Sequence, residues 1–431
     1  MSVLTLHAID VRIEERVEQA ETASCGSDRA NDTALITDRN RPLSEEAMQQ
    51  IPATTVVHGQ YDDRFIGLAE ALDDELSNGD ELGAAVAVDI DGAAVVDIWG
   101  GHADRARATE WSQNTIVNIW SCTKPVCSLA ALILIDRGLL DPHAPVAHYW
   151  PEFAANGKRD IQVRHILSHT SGVAGWDEPF TNEDMYDRDT AVSRLAGQAP
   201  WWAPGTKAGY HAQNYGHLVG EIIRRITGMG LKEFVQREIS EPLNADIQIG
   251  ASADDDDRIA ELIAPPPPRL PALPDDHPMR KTFAAPIPDA NAANTLAWRR
   301  AEIGAGNGHG NARGLVRALS PISLGGTANG VDLLTPETIE RIFDVQAVGD
   351  DQVLAAPVKW GLGFALPTRE VPPYLPTERT CFWVGWGGSI VVMDLDRRTT
   401  IAYTMNNMAD SLIGSDRASR YLRLIYEVLG L

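Results

Sequence analysis

The chain reads as an α/β protein: a discontinuous lobe of strands and helices built from both ends of the sequence, with a mainly helical lobe inserted. Three observations predict this. Residues 84–98 carry two apolar strand patterns around a tight turn, and strand patterns return at residues 389–405. The long stretch between them shows helical periodicity and loops. The expected division is an extension over residues 1–55, an α/β lobe from 56–139 and 316–431, and a mainly helical lobe over 140–315. A site is then expected in the cleft between the lobes.

In chain order, residues 1–55 are polar, charged and poor in aromatics, the pattern of an extension that lacks a core and is partly disordered. Helical spacing begins near Tyr61, with Phe65, Leu68, Leu72 and Leu76 on one face and Gly79 closing it. A hairpin follows, Ala84 to Val88 and Ala94 to Ile98 flanking the turn pair Asp91-Gly92. The run from Pro125 to Ile135 is apolar on every side and ends at Gly138, which predicts a helix buried at the protein's centre. Leu218, Val219, Ile222, Ile223 and Ile226 mark an amphipathic helix starting near Asn214 and closed by Gly228. Prolines between residues 264 and 278 mark a stiff, irregular excursion, a candidate wall of the cleft or self-association surface that leaves a homodimer open. Near the end, Ser389 to Met393 and Thr400 to Met405 flank a turn at Asp396-Arg397-Arg398, and a helix over residues 412–429 closes the chain.

Composition narrows the partners. The chain has 431 residues, 44% apolar and 23% charged, with a formal net charge of −23. Such acidity argues against nucleic acid or an anionic membrane as the main partner. No stretch approaches the length of a membrane span, and the N-terminus has no apolar signal region. Four cysteines, Cys25, Cys122, Cys127 and Cys381, show no framework spacing, so reduced thiols and a cytoplasmic protein are expected. No metal-ligand spacing stands out, and neither a metal nor a cofactor is expected.

The chemistry is carried by Ser121-Cys122-Thr123-Lys124, at the head of the apolar helix. A serine and a lysine three residues apart share one helical face, where an amine can touch a hydroxyl. A serine needs an adjacent base, and a lysine serves as one when burial or neighbours lower its pKa. Cys122 is a rival nucleophile, but it points about 100° away along the helix and reads as a packed small side chain. Tyr210, before the helix at Asn214, either shuttles protons beside the lysine or simply packs in the lobe interface. The strand Cys381 to Ser389 (CFWVGWGGS) is broken by glycines, which lets another backbone approach and a backbone N–H hold an acyl oxygen. No G-x-S-x-G elbow of a Ser-His-Asp hydrolase is present.

These motifs in this order closely resemble the serine β-lactamase and penicillin-binding-protein superfamily, nearest to its class C-like esterase branch, the family VIII carboxylesterases. The resemblance spans residues 57–431. Besides the tetrad it rests on Leu82-Gly83-Ala84-Ala85-Val86, Trp99-Gly100-Gly101-His102-Ala103-Asp104, the stretch His165 to Gly172, Pro204-Gly205-Thr206 through Tyr210-His211-Ala212, and Trp360-Gly361-Leu362-Gly363-Phe364. It implies an antiparallel sheet flanked by helices, and an acyl-enzyme hydrolase with Ser121 as nucleophile and Lys124 and Tyr210 as the coupled base and acid. His165, His169 and Ser171 match a stretch that is structural in the family.

Two departures shape the expected substrate. Penicillin-recognising members carry Tyr-x-Asn, where this chain has Tyr210-His211-Ala212. They also carry Lys-Thr-Gly on the last active-site strand, where this chain has Trp383-Val384-Gly385, or Trp386-Gly387-Gly388 in a slipped alignment. Tryptophan cannot offer a cation to a carboxylate. The expected substrate is therefore an uncharged carboxylic ester or lactone, with the oxyanion held by the amides of Ser121 and Trp386. His211, Trp383, Val384, Gly385, His309 and Trp176 are the expected binding residues. Trp201, Trp202, Phe382 and Trp386 are further candidates for an aromatic lining that suits a hydrophobic acyl or aryl group. Acyl transfer to an alcohol, or weak β-lactamase or D-peptidase activity, are the alternatives.

Overall fold

The computed structural model describes residues 48–50, 56–266 and 272–431. Most of the expected N-terminal extension, and residues 267–271 of the proline-rich excursion, lie outside the described residues.

Ten strands form one antiparallel sheet. Its order is Met48–Gln50, Val57–Asp62, Ala93–Gly101, Gly83–Ile90, Thr399–Met405, Ile390–Asp394, Thr380–Val384, Ala365–Leu366, Pro357–Trp360 and Ala347–Asp350. An early strand and a late strand thus pair mid-sheet, where Ile401 faces Val88 and Tyr403 faces Val86. Strands Thr399–Met405 and Ile390–Asp394 are buried at every residue, which requires cover on both faces, including over the buried Thr399, Thr400 and Thr404. The hairpin turns at Asp91 and Gly92, both at positive φ, the backbone a two-residue turn of this hand needs.

Two sequence boundaries move. Tyr61 belongs to an edge-side strand, not to the first helix, which runs Ile66–Asn78 and ends at Gly79 with φ 87°. The C-terminal helix begins at Asp416, because the Ser415 hydroxyl accepts from the Ala418 amide and caps it there.

Helix Thr123–Asp136 is buried from Thr123 to Ile135 and packs against helix Tyr215–Thr227. Helix Ala312–Ser323 lies across strands Thr399–Met405, Gly83–Ile90 and Ile390–Asp394. Besides helices and loops, the middle of the chain holds a small three-stranded sheet in the order Val117–Asn118, Gly308–Gly310, Ile247–Ile249. Its strands are two and three residues long, too short to leave a period-two signal. Among the described residues no helix is long and apolar enough to cross a membrane.

Candidate active site

Ser121 does not sit on the helix. It occupies the turn just before it, after Trp120, whose φ of 47° is left-handed. Such backbone is costly for a tryptophan and is held by its surroundings. Here Thr123 Oγ1 donates to Trp120 O at 2.5 Å and accepts from Gly308 N at 2.8 Å, tying the turn to the small sheet. On the other side, Gly385 brings the large sheet against the same turn: a Cβ there would lie 2.6 Å from Ile119 O.

Lys124 is 2% exposed, and Nζ has three neighbours: Ser121 Oγ at 3.1 Å, Ala212 O at 2.9 Å and Ala305 O at 2.7 Å. Burial lowers its ammonium to about 7, with the nearby Cys127 and Cys122 opposing the shift. Tyr210 packs beneath it, with Nζ 4.6 Å from the ring centroid. The Tyr210 hydroxyl accepts from Trp383 Nε1 at 2.8 Å and lies beside Ser121, whose side chain favours its ionised form. Burial pushes the phenol above its ordinary value despite Ser121 and Trp383, so Tyr210 keeps its proton. The Cys122 thiol is fully buried and pushed up by burial, as a packed side chain would be.

The Tyr210–Trp383 bond favours Trp383-Val384-Gly385 over the slipped alignment. The amides of Ser121 and Trp386 make no hydrogen bond within the described residues, leaving both available to an acyl oxygen. Trp386 packs on Trp120, with centroids 5.0 Å apart, and Trp120 meets Trp298 at 5.4 Å. These rings wall a cavity of about 220 Å³, on which Ser121, Tyr210, Trp383, Val384 and Trp386 all open. Apolar side chains such as Phe283, Ile303 and Leu354 form most of the rest, and among the described residues Asp289 is the sole charged one on its wall.

Three expected binding residues lie elsewhere. His211 is fully buried behind Tyr210, bonded to Ser171 and to Gly209 O. His309 lies in the middle strand of the small sheet, which buries it completely, and its Nδ1 donates to Asn307 O at 2.8 Å. Trp176 is a core residue stacked on Phe180, its Nε1 bonded to Ala191 O. Trp201, Trp202 and Phe382 are also off the cavity wall, and Gly385 acts through the close approach of its backbone.

Sequence reading missed four contributors. The carbonyls of Ala212 and Ala305 carry no side-chain signal. Trp298, held by Nε1 to Asn118 Oδ1 at 2.9 Å, stands alone in the sequence. Asp351 is 1% exposed and accepts from the amides of Tyr210, Val353 and Leu354 and from Trp360 Nε1, so it anchors Tyr210 from behind.

Comparison with known proteins gives the family and the fold. The profile of the beta-lactamase family matches residues 68–422. The curated relative "Esterase/beta-lactamase LipL" of Mycobacterium tuberculosis is 33% identical over 395 residues, covering 84% of this chain and 86% of its own length. A crystal structure described as a family VIII carboxylesterase superposes with a TM-score of 0.81 at 35% identity, over 86% of this chain and 99% of that one. A penicillin-binding-protein homologue from Caulobacter crescentus superposes with a TM-score of 0.80 at 34% identity, over 87% of this chain and 100% of that one.

Proposed function

The chain belongs to the beta-lactamase family, and from that premise we infer that it is a serine hydrolase of carboxylic esters acting through a Ser121 acyl-enzyme. One observation carries the assignment of roles. The Ala212 and Ala305 carbonyls can only accept, so they use both N–H bonds of a neutral Lys124 amine, and its lone pair is left facing Ser121 Oγ at 3.1 Å.

Lys124 takes the serine proton as Oγ attacks the ester carbonyl. The developing oxyanion is received by the amides of Ser121 and Trp386, each worth about 3 kcal/mol in such sites. Tyr210, kept as the phenol by burial, hands its proton to the leaving alkoxide and is reprotonated from Lys124. Water then enters by the reverse route, with Lys124 as its base, and releases the acid. Helix Thr123–Asp136 directs its positive end at this site and favours the anionic intermediate.

The preferred ester is uncharged and apolar on its acyl or aryl side. Trp383 supplies an N–H but no cation, and among the described residues the only charged side chain on the cavity wall is the carboxylate of Asp289. A carboxylate-bearing β-lactam would find no countercharge there. Lactones, which are uncharged cyclic esters, fit the same requirement. Relatives named as an esterase and a carboxylesterase favour water over an alcohol as the acceptor.

The test is turnover of p-nitrophenyl esters, lactones and nitrocefin, with fluorophosphonate labelling, for the wild type and Ser121→Ala. The variant should lose labelling and about ten-thousandfold or more in turnover. Turnover near the wild-type rate would sink the assignment.

A further inference from the structure

His211 is fully buried next to Tyr210, yet it touches neither the cavity nor the reacting atoms. We propose that Ser171, His211 and His169 form a chain of hydrogen bonds with one fixed proton arrangement, and that His211 is thereby the positioning residue for both Tyr210 and Lys124. This rests on the reading of Ser121 and Lys124 given above.

The proton arrangement follows from what each partner can do. Gly209 O can only accept, so His211 Nδ1, 3.0 Å away, carries hydrogen. His169 Nδ1 accepts from the His211 backbone amide at 3.2 Å, so it is bare and also receives the His211 Nδ1–H at 3.1 Å. His211 Nε2 is then bare and accepts from the Ser171 hydroxyl at 2.7 Å. Ser171 Oγ in turn accepts from Val173 N at 3.0 Å. Both imidazoles are neutral in this scheme, in keeping with burial, which drives each downward, His211 to about 3.

The backbone shows what this arrangement holds. Ala212 N donates to Tyr210 O at 2.8 Å, closing a three-residue turn centred on His211. That turn directs two consecutive outputs at one place: the Tyr210 hydroxyl to Ser121, and the Ala212 carbonyl to Lys124 Nζ at 2.9 Å. Penicillin-recognising relatives carry a side-chain amide where this chain has Ala212. With only a methyl there, this position meets Lys124 through its peptide carbonyl, and the His211 ring fixes that peptide. Its Nδ1–H ties the turn to the preceding carbonyl, and its Nε2 ties it to Ser171 on a separate segment.

Three variants test this. His211→Phe keeps a flat ring without nitrogen, His211→Asn keeps a donor near the place of Nδ1, and Ser171→Ala removes the hydroxyl. For each, kcat, KM and the thermal midpoint are measured with p-nitrophenyl butyrate, and the rate of fluorophosphonate labelling is followed. His211→Phe should lower kcat by about a hundredfold with KM nearly unchanged, the loss expected of a catalytic group displaced by about 1 Å. Labelling should slow in parallel, and His211→Asn should restore about tenfold of kcat, by the same positioning argument. Wild-type kcat in His211→Phe, a change confined to KM, or an asparagine variant no better than phenylalanine would each overturn the proposal. If His211→Phe does not fold, Ser171→Ala decides: its kcat should fall severalfold, and an unchanged kcat overturns the proposal. Ser121→Ala assayed alongside separates the two claims, since activity in that variant defeats the nucleophile assignment instead.

Discussion

Trp383 Nε1 donates to the hydroxyl of Tyr210 at 2.8 Å, joining two residues 173 positions apart in the sequence. An indole N–H can donate but never accept. The Tyr210 proton therefore cannot point at Trp383 and is free to point toward Ser121. The tryptophan thus orients the Tyr210 hydroxyl while bringing no charge into the cavity.

Trp383→Phe keeps the ring but removes this donor. Its expected cost is about 1 kcal/mol of transition-state stabilisation, close to a fivefold fall in kcat, the usual worth of one neutral hydrogen bond. Steady-state kinetics on an uncharged ester checks it. Trp383→Lys should raise nitrocefin hydrolysis relative to ester hydrolysis. An unchanged ratio would mean that a missing cation does not set the preference.

The pH profile should follow Lys124. Burial lowers its ammonium to about 7, and only the neutral amine can take the serine proton. The logarithm of kcat/KM should rise with unit slope below pH about 7 and level off above it. Tyr210 is shifted the opposite way by burial, so no falling limb from its ionisation is expected until strongly alkaline pH. Lys124→Arg should abolish the reaction, since a guanidinium cannot deprotonate.

Asp351→Asn isolates the anchor of Tyr210. One amide oxygen can still receive the Tyr210, Val353 and Leu354 amides, but the amide N–H₂ then faces Trp360 Nε1, donor against donor. A loss of about 1–3 kcal/mol of stability is expected from the buried unpaired donors. Urea unfolding measures this. A fall in kcat should accompany it, because Trp360 stacks on Tyr210 and packs at a tilt against Trp383.

Gly385→Ala forces a carbon to within 2.6 Å of Ile119 O and pushes the strand off the serine turn. The Trp386 amide moves with it. Acylation should slow by about tenfold or more, with a smaller effect on KM, as a displaced oxyanion donor predicts. Burst kinetics with a p-nitrophenyl ester would detect the change. A burst of normal rate would show that the strand's close approach is dispensable.

Much of this was legible because it lay in local pattern. The Asp91-Gly92 hairpin, the all-apolar helix after Ser121 and the amphipathic helix closed by Gly228 each announce themselves within a dozen residues. Ser121, Lys124 and Tyr210 were reachable because ordered motifs fix residue types. What escaped was decided by tertiary packing. Histidines 211 and 309 read as substrate-binding residues in sequence, but neighbouring elements seal both inside. The Ala212 and Ala305 carbonyls belong to the backbone, where any residue would serve. Asp351 gathers its partners by a local turn and by contact with Tyr210, 141 residues earlier, and no short pattern encodes that meeting.

The order of strands also governs when the protein becomes an enzyme. During synthesis Ser121 and Lys124 are made early, yet the strand that carries Trp383 needs Ile390–Asp394 beside it. That strand in turn needs Thr399–Met405 to join it to Gly83–Ile90. Such distant pairings form late in folding. If the Trp386 amide receives the oxyanion as proposed, a chain still on the ribosome should therefore show no esterase activity until these strands are made and paired. A chain cut short before residue 399 would be silent, not leaky.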